Sequence, residues 1–143
     1  YLRWDSLGEF LALAATFRHA ATHGNVRAGV PGECLDRATE RLLNEDKSPA
    51  RRVGQIDNRG SHFWLARFWA QELAEQTQDS ELAARFAEVS EQLTANADAI
   101  DAELIAVQGS PADIGGYYRP DAAKASAVMR PSATFNGILA ALA

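Results

Sequence analysis

Two adjacent arginines, Arg51 and Arg52, follow Pro49-Ala50 and offer planar forks of N–H donors that match phosphate oxygens and stay charged at any working pH. They sit in a stretch from Lys47 to Arg67 that holds five basic side chains (Lys47, Arg51, Arg52, Arg59, Arg67) and a single acid, Asp57. The balance then reverses, with nine acids between Glu72 and Glu103 against Arg85 alone. A local surplus of positive charge in a chain of net charge -5 can receive an anionic ligand. A solvated loop whose arginines pair with the acidic segment explains the same composition, and on composition alone that plainer reading leads.

A second candidate is Arg3-Trp4-Asp5, just ahead of a helix start. An arginine there can meet an anion near the positive end of the helix, with Asp5 orienting the guanidinium or accepting from a ribose hydroxyl. A frayed end carrying ordinary charges is the alternative. Asp57-Asn58-Arg59-Gly60-Ser61-His62 places a hydroxyl, an imidazole and a carboxylate close in sequence. Catalytic triads meet in space rather than in sequence, so a cap at Asn58 and a tight turn at Gly60 are the expected roles. His19 and His23 lie four apart on a helix, but two ligands make a poor metal site. Cys34 has no CxxC partner and reads as a small core residue. Gly115-Gly116-Tyr117-Tyr118-Arg119-Pro120 lacks the spacing of a phosphate-cradling loop. Its tyrosines are expected to pack a return loop onto the helices.

Helical signals position these residues. Ser6 and Glu9 form a capping-box pattern ahead of Leu7, Phe10, Leu11, Ala14, Phe17 and Ala21, with Gly24 as a stop. A turn is expected over Gly29–Gly32 and a shorter helix over 33–44, broken at Ser48-Pro49. Residues 52–57 are the one candidate short strand. A helix capped by Asn58 or Ser61 then runs to about Gln76, and Trp64, Leu65, Phe68, Trp69 and Leu73 give it an apolar face broad enough for the most buried position. Leu82, Phe86, Val89, Leu93, Ala97, Ile100, Leu104 and Val107 mark a single seam over 80–108, fit for an antiparallel partner in the same domain or for an external partner. A loop over 109–119, a helix opened by Pro120 and ended before Pro131, and a last helix over 132–142 complete a mainly α chain.

The 143 residues suit one domain, and an apolar fraction of 47% excludes intrinsic disorder. Net acidity argues against a general nucleic-acid binder, and no apolar run approaches membrane-span length. One cysteine excludes a disulfide framework and fits a reducing compartment. The opening Tyr1-Leu2-Arg3-Trp4-Asp5 reads as the middle of a longer polypeptide.

Three separated runs carry a more specific signal: 48–63 (SPARRVGQIDNRGSHF), 113–120 (DIGGYYRP) and 129–136 (MRPSATFN). Together they resemble the C-terminal portion of the monomeric-type, NADP-dependent isocitrate dehydrogenases of bacteria. The resemblance implies a cytoplasmic, monomeric enzyme that converts isocitrate and NADP to 2-oxoglutarate, carbon dioxide and NADPH with Mg or Mn. It implies that residues 1–143 are a helical segment, with at most one or two short strands, of a larger α/β domain. That domain would be the smaller, cofactor-side one of two, completed by the N-terminal part of the same chain. By resemblance, Arg3, Trp4, Asp5 and Arg52 contact the adenosine 2′-phosphate end of NADP, with Arg51 as the alternative to Arg52. The catalytic and metal-holding residues are expected upstream of Tyr1, so the segment alone is expected to be inactive. A helical interaction module acting through the seam from Leu82 to Val107 is the competing expectation.

Overall fold

The computed structural model describes residues 3, 4 and 6–142, and among them it contains seven α-helices and no strand. They are α1 (Leu7–Thr22), α2 (Gly29–Asn44), α3 (Asn58–Glu75), α4 (Ser80–Ala95), α5 (Ala97–Ala106), α6 (Ala122–Met129) and α7 (Ala133–Ala140), with a 3-10 turn at Val26–Ala28.

The broad apolar face of α3 makes it the centre. Phe63 and Phe68 are fully buried, Trp64, Leu65, Ala70 and Leu73 nearly so, and the helix packs against α2, α4 and α5. Helix α1 leans on α2 at a close crossing, where Gly32 leaves no room for a side chain. A Cβ there would stand 2.9 Å from Phe17 Cβ and 3.3 Å from the Ala14 carbonyl. Gly29–Gly32 is therefore not a turn but the first turn of α2, because close helix approach and not chain reversal requires the glycine.

Residues 76–79 turn α4 back along α3, and Asp79 caps α4 by accepting from the Leu82 N–H at 3.0 Å. The single helix expected over 80–108 is two. Asn96 sits outside helical geometry (φ -103, ψ 11), and its amide donates to the Gln92 carbonyl at 2.8 Å, a local bond that competes with the ladder. The seam continues across the break, with Val89, Leu93, Ala97, Ile100 and Leu104 all buried in this chain's own core. Most of the seam is thus spent internally, with Leu82 and Phe86 partly buried and Val107 exposed, which weakens the support for an external partner.

Several start signals are realised by neighbours of the expected residue. Ser6 is the residue before α1, yet its hydroxyl makes no cap bond and instead accepts from Asn58 Nδ2 at 2.9 Å. Helix α3 is capped by Asp57 rather than Asn58 or Ser61, and α6 by Asp121, with Pro120 just outside. Ser132 caps α7 by accepting from the Phe135 N–H at 3.0 Å. Residues 52–57 form turns rather than a strand, closed by Ala50 N–H donating to the Ile56 carbonyl at 2.8 Å, with Gly54 at φ +86. Tyr117 and Tyr118 do not pack the return loop down. They are 87% and 94% exposed, edge to face with each other.

Candidate functional site

Most of the basic stretch is committed to the fold. Arg59 is buried with Asp57 and donates through Nε at 3.0 Å and Nη2 at 2.6 Å to its Oδ2, and through Nη1 at 2.9 Å to the Val128 carbonyl. Lys47 Nζ lies 4.0 Å from the centre of the Trp64 ring. The Arg67 guanidinium faces Trp64 and Phe68 at 5.1 and 5.5 Å, its Nε is buried without a partner among the described residues, and burial lowers its pKa. That leaves Arg51 and Arg52. Both are exposed on the 50–56 loop, and neither makes an ion pair among the described residues. The expected pairing with the acidic segment is absent there. Glu72 is taken by Arg37 at 2.5 Å and Asp79 by Arg27 at 3.1 Å. Glu103 accepts from Ser132 Oγ and Thr134 Oγ1, each at 2.6 Å, and those donors hold its pKa below the ordinary carboxylate range.

Arg3 and Trp4 line a cavity of about 210 Å³ with Ser48 and Pro49, the residues leading into the arginine loop. Arg51 and Arg52 lie beyond that lining. Arg3 is exposed and also makes no ion pair among the described residues. Asp5 lies outside the described residues. Trp4 is held by its backbone: its N–H donates to Asn58 Oδ1 at 2.6 Å, and its carbonyl accepts from Asn58 Nδ2 at 3.0 Å. The buried Asn58 thus clips the entering chain to the first turn of α3, and Asp57 fixes that turn by accepting from the Arg59 and Gly60 amides. Trp4 also borders a second cavity of about 300 Å³ with His62, Met129, Arg130 and Asn136. His62 Nδ1 lies 2.7 Å from the Asn58 carbonyl, so Nδ1 carries the proton and donates.

The structure therefore gathers Arg3, Trp4 and the Ser48-Pro49 segment on one cavity, and keeps both loop arginines exposed and without an ion pair among the described residues. Among the described residues it assembles no hydrolytic triad, because Asp57 is engaged by Arg59 and His62 by the α3 backbone. His19 and His23 stack at 3.9 Å on an exposed face of α1. Cys34 is fully buried, and its pKa is raised by desolvation. The clip by Asn58 and the buried Ser61 beside the cavity were not legible beforehand: their partners are distant in sequence, and no periodicity marks them.

The monomeric isocitrate dehydrogenase family model matches residues 1–140, and the chain belongs to that family. It is 63% identical over 143 residues to the isocitrate dehydrogenase (NADP) of Corynebacterium efficiens, covering 99% of this chain. To those of Corynebacterium glutamicum and Azotobacter vinelandii it is 62% and 56% identical over 99% and 100% of this chain. The chain spans only 20% of the first of these relatives and 19% of the other two.

Proposed function

We propose that this chain is the cofactor-side, C-terminal segment of an NADP-dependent isocitrate dehydrogenase, and that it holds the adenosine 2′-phosphate end of NADP. The observation that carries this reading is the division of labour among the arginines. Arg59 and Arg67 are consumed by the core, while Arg3, Arg51 and Arg52 stay exposed with no ion pair among the described residues. A dianionic phosphate needs such unneutralised forked donors. Family membership and the relatives' naming as isocitrate dehydrogenase (NADP) support the same ligand.

In this reading Arg52 and Arg3 close on the 2′-phosphate, Trp4 flanks the adenosine, and Asp5 orients the clamp. When bound, NADP supplies the hydride acceptor for oxidation of isocitrate to 2-oxoglutarate. The segment supplies binding, orientation and charge neutralisation. Among the described residues no three His, Cys, Asp or Glu side chains converge as a metal site. We assign the residues that hold Mg or Mn and move protons to the remainder of the polypeptide, with which these helices would complete the smaller domain of a monomeric enzyme. We place that enzyme in the cytoplasm. No described helix is long and apolar enough to cross a membrane.

In the full-length enzyme, Arg52→Ala is expected to raise the KM for NADP while leaving kcat and the KM for NAD nearly unchanged, because the lost contact is made only to the 2′-phosphate. An unchanged KM for NADP removes Arg52 from the site. Arg51→Ala, measured beside it, decides between the two neighbours.

A further inference from the structure

The loop ahead of α6 has a fixed shape. Its tip is closed by the Asp121 N–H, which donates to the Ile114 carbonyl at 2.7 Å. Asp113 accepts from the Gly115 N–H at 2.8 Å and from Lys124 Nζ at 2.5 Å. Gly115 sits at φ +82, and a Cβ there would stand 2.9 Å from Asp121 Cβ, so the closure requires glycine. The side chains presented by this closed tip are Tyr117, Tyr118 and Arg119. The two rings meet edge to face at 5.2 Å and are 87% and 94% exposed. Arg119 is exposed too and makes no ion pair among the described residues. Aromatic rings left in water forgo the burial that such side chains ordinarily gain. Tyrosine and arginine on a fixed backbone are what protein interfaces use as anchors, because they bring large contact area and forked donors at little ordering cost.

Helix α6, which follows directly, lacks a cover as well. Its sequence is AAKASAVM, none of its residues is buried, and it packs closely on no other helix among the described residues. A single turn or two of alanine, valine and methionine with one lysine does not persist as a lone helix in water. Its tethers are the Asp121 cap, the Lys124 pair with Asp113 and the bond from Arg59 to the Val128 carbonyl, all of them polar.

We propose that residues 114–129 are a docking arm for the remainder of this polypeptide, with Tyr117 and Tyr118 seated in an apolar recess of it and Arg119 meeting a carboxylate at the rim. The inference rests on the reading of the chain as a segment of a longer enzyme and adds to it a contact surface. The length of chain outside these residues argues for that occupant. The matched part is 20% of one relative and 19% of the next, so about four-fifths of such a polypeptide is available to cover the arm. Contact within one polypeptide loses no translational freedom, so two aromatic anchors and a short helix suffice to hold it. The arm is smaller than the roughly 20–30 residues a side that a stable interface between separate copies uses.

The test uses the full-length enzyme. Nitration by tetranitromethane, read at Tyr117 and Tyr118 by peptide mass spectrometry, is followed in the native enzyme and in urea. Both tyrosines are expected to react at least roughly tenfold more slowly in the native enzyme, as residues do that are uncovered less than about a tenth of the time. Native rates equal to those in urea overturn the inference. Protection that disappears on dilution as a sedimenting dimer gives way to monomer assigns the arm to a second copy, and that overturns it too. A second measurement compares the urea midpoints of wild type and the double variant Tyr117→Ser, Tyr118→Ser. Rings as exposed as these contribute almost nothing within the described residues, so a lowered midpoint is expected from the contact with the rest of the chain, and an unchanged one counts against the arm. Arg52→Ala keeps the two readings apart: a selective loss of NADP preference there, with both tyrosines unprotected, leaves the cofactor reading standing while the docking arm fails.

Discussion

Replacement of Asp57 tests the physical account of how the site is positioned, because one carboxylate does two jobs there. Its Oδ1 caps α3 by accepting from Arg59 N at 2.8 Å and Gly60 N at 3.3 Å, and its Oδ2 takes the Arg59 guanidinium. Asp57 is fully buried, and the Arg59 side chain is 7% exposed. Asp57→Ala removes the cap, worth about 1 kcal/mol. It also strands a buried guanidinium, which costs about 3–5 kcal/mol when one partner of a buried pair is deleted. The sum, about 4–6 kcal/mol, is comparable with the whole stability of a small domain. Asp57→Asn keeps a side-chain acceptor for the amides and loses only the charge, so it should be milder than alanine by about 1 kcal/mol. The assay is urea unfolding of the full-length enzyme, with hydrogen exchange at the end of α6, where Arg59 also holds the Val128 carbonyl at 2.9 Å. Faster exchange there in both variants is expected. A cost below about 1 kcal/mol for Asp57→Ala, or equal costs for the two variants, would refute the reasoning.

Other expectations follow from the same contacts. Gly32→Ala puts a Cβ 2.9 Å from Phe17 Cβ, so α1 and α2 must separate. The variant should lose about 1–2 kcal/mol by denaturant unfolding, the overpacking cost exceeding the gain in helix propensity. The Glu103 pKa is depressed in the folded chain by Ser132 and Thr134, so its contribution is present above the ordinary carboxylate value and is lost as pH falls through the depressed one. Protection against hydrogen exchange in α7, taken relative to the intrinsic rate at each pH, should therefore fall on acidification through that window, and Glu103→Gln should flatten the response. Arg67→Met removes a guanidinium whose Nε is buried without a partner and should be neutral or stabilising in thermal unfolding.

Sequence reading and structure agree where the signal is local and periodic. The apolar positions 64, 65, 68, 69 and 73 correctly put α3 at the centre, and the seam through Val89, Leu93, Ile100 and Leu104 is a real buried face. Agreement fails where long-range contact overrides local preference. Ser6 looks like a cap, yet Asn58 claims its hydroxyl across the chain. Gly29 and Gly32 look like a turn, yet helix crossing needs the small residue. Asn96 breaks a seam that hydrophobic spacing alone runs straight through. Tyr117 and Tyr118 look like packing residues and stand in solvent. At the candidate site, charge composition located the arginine loop but could not say which guanidiniums the core would absorb. The pairing of Arg59 with Asp57 and the stacking of Arg67 and Lys47 on aromatic rings answer that question.

The most direct test of the central claim is the ratio of kcat/KM for NADP to that for NAD in the full-length enzyme with Arg3, Arg51 and Arg52 replaced singly by alanine. A charge-assisted contact to phosphate is worth about 1.5–3 kcal/mol, so Arg3→Ala and Arg52→Ala should each lower the ratio by roughly 10-fold to 150-fold, and Arg51→Ala should change it little. Ratios unaltered by all three substitutions would contradict the assignment of this segment to the 2′-phosphate.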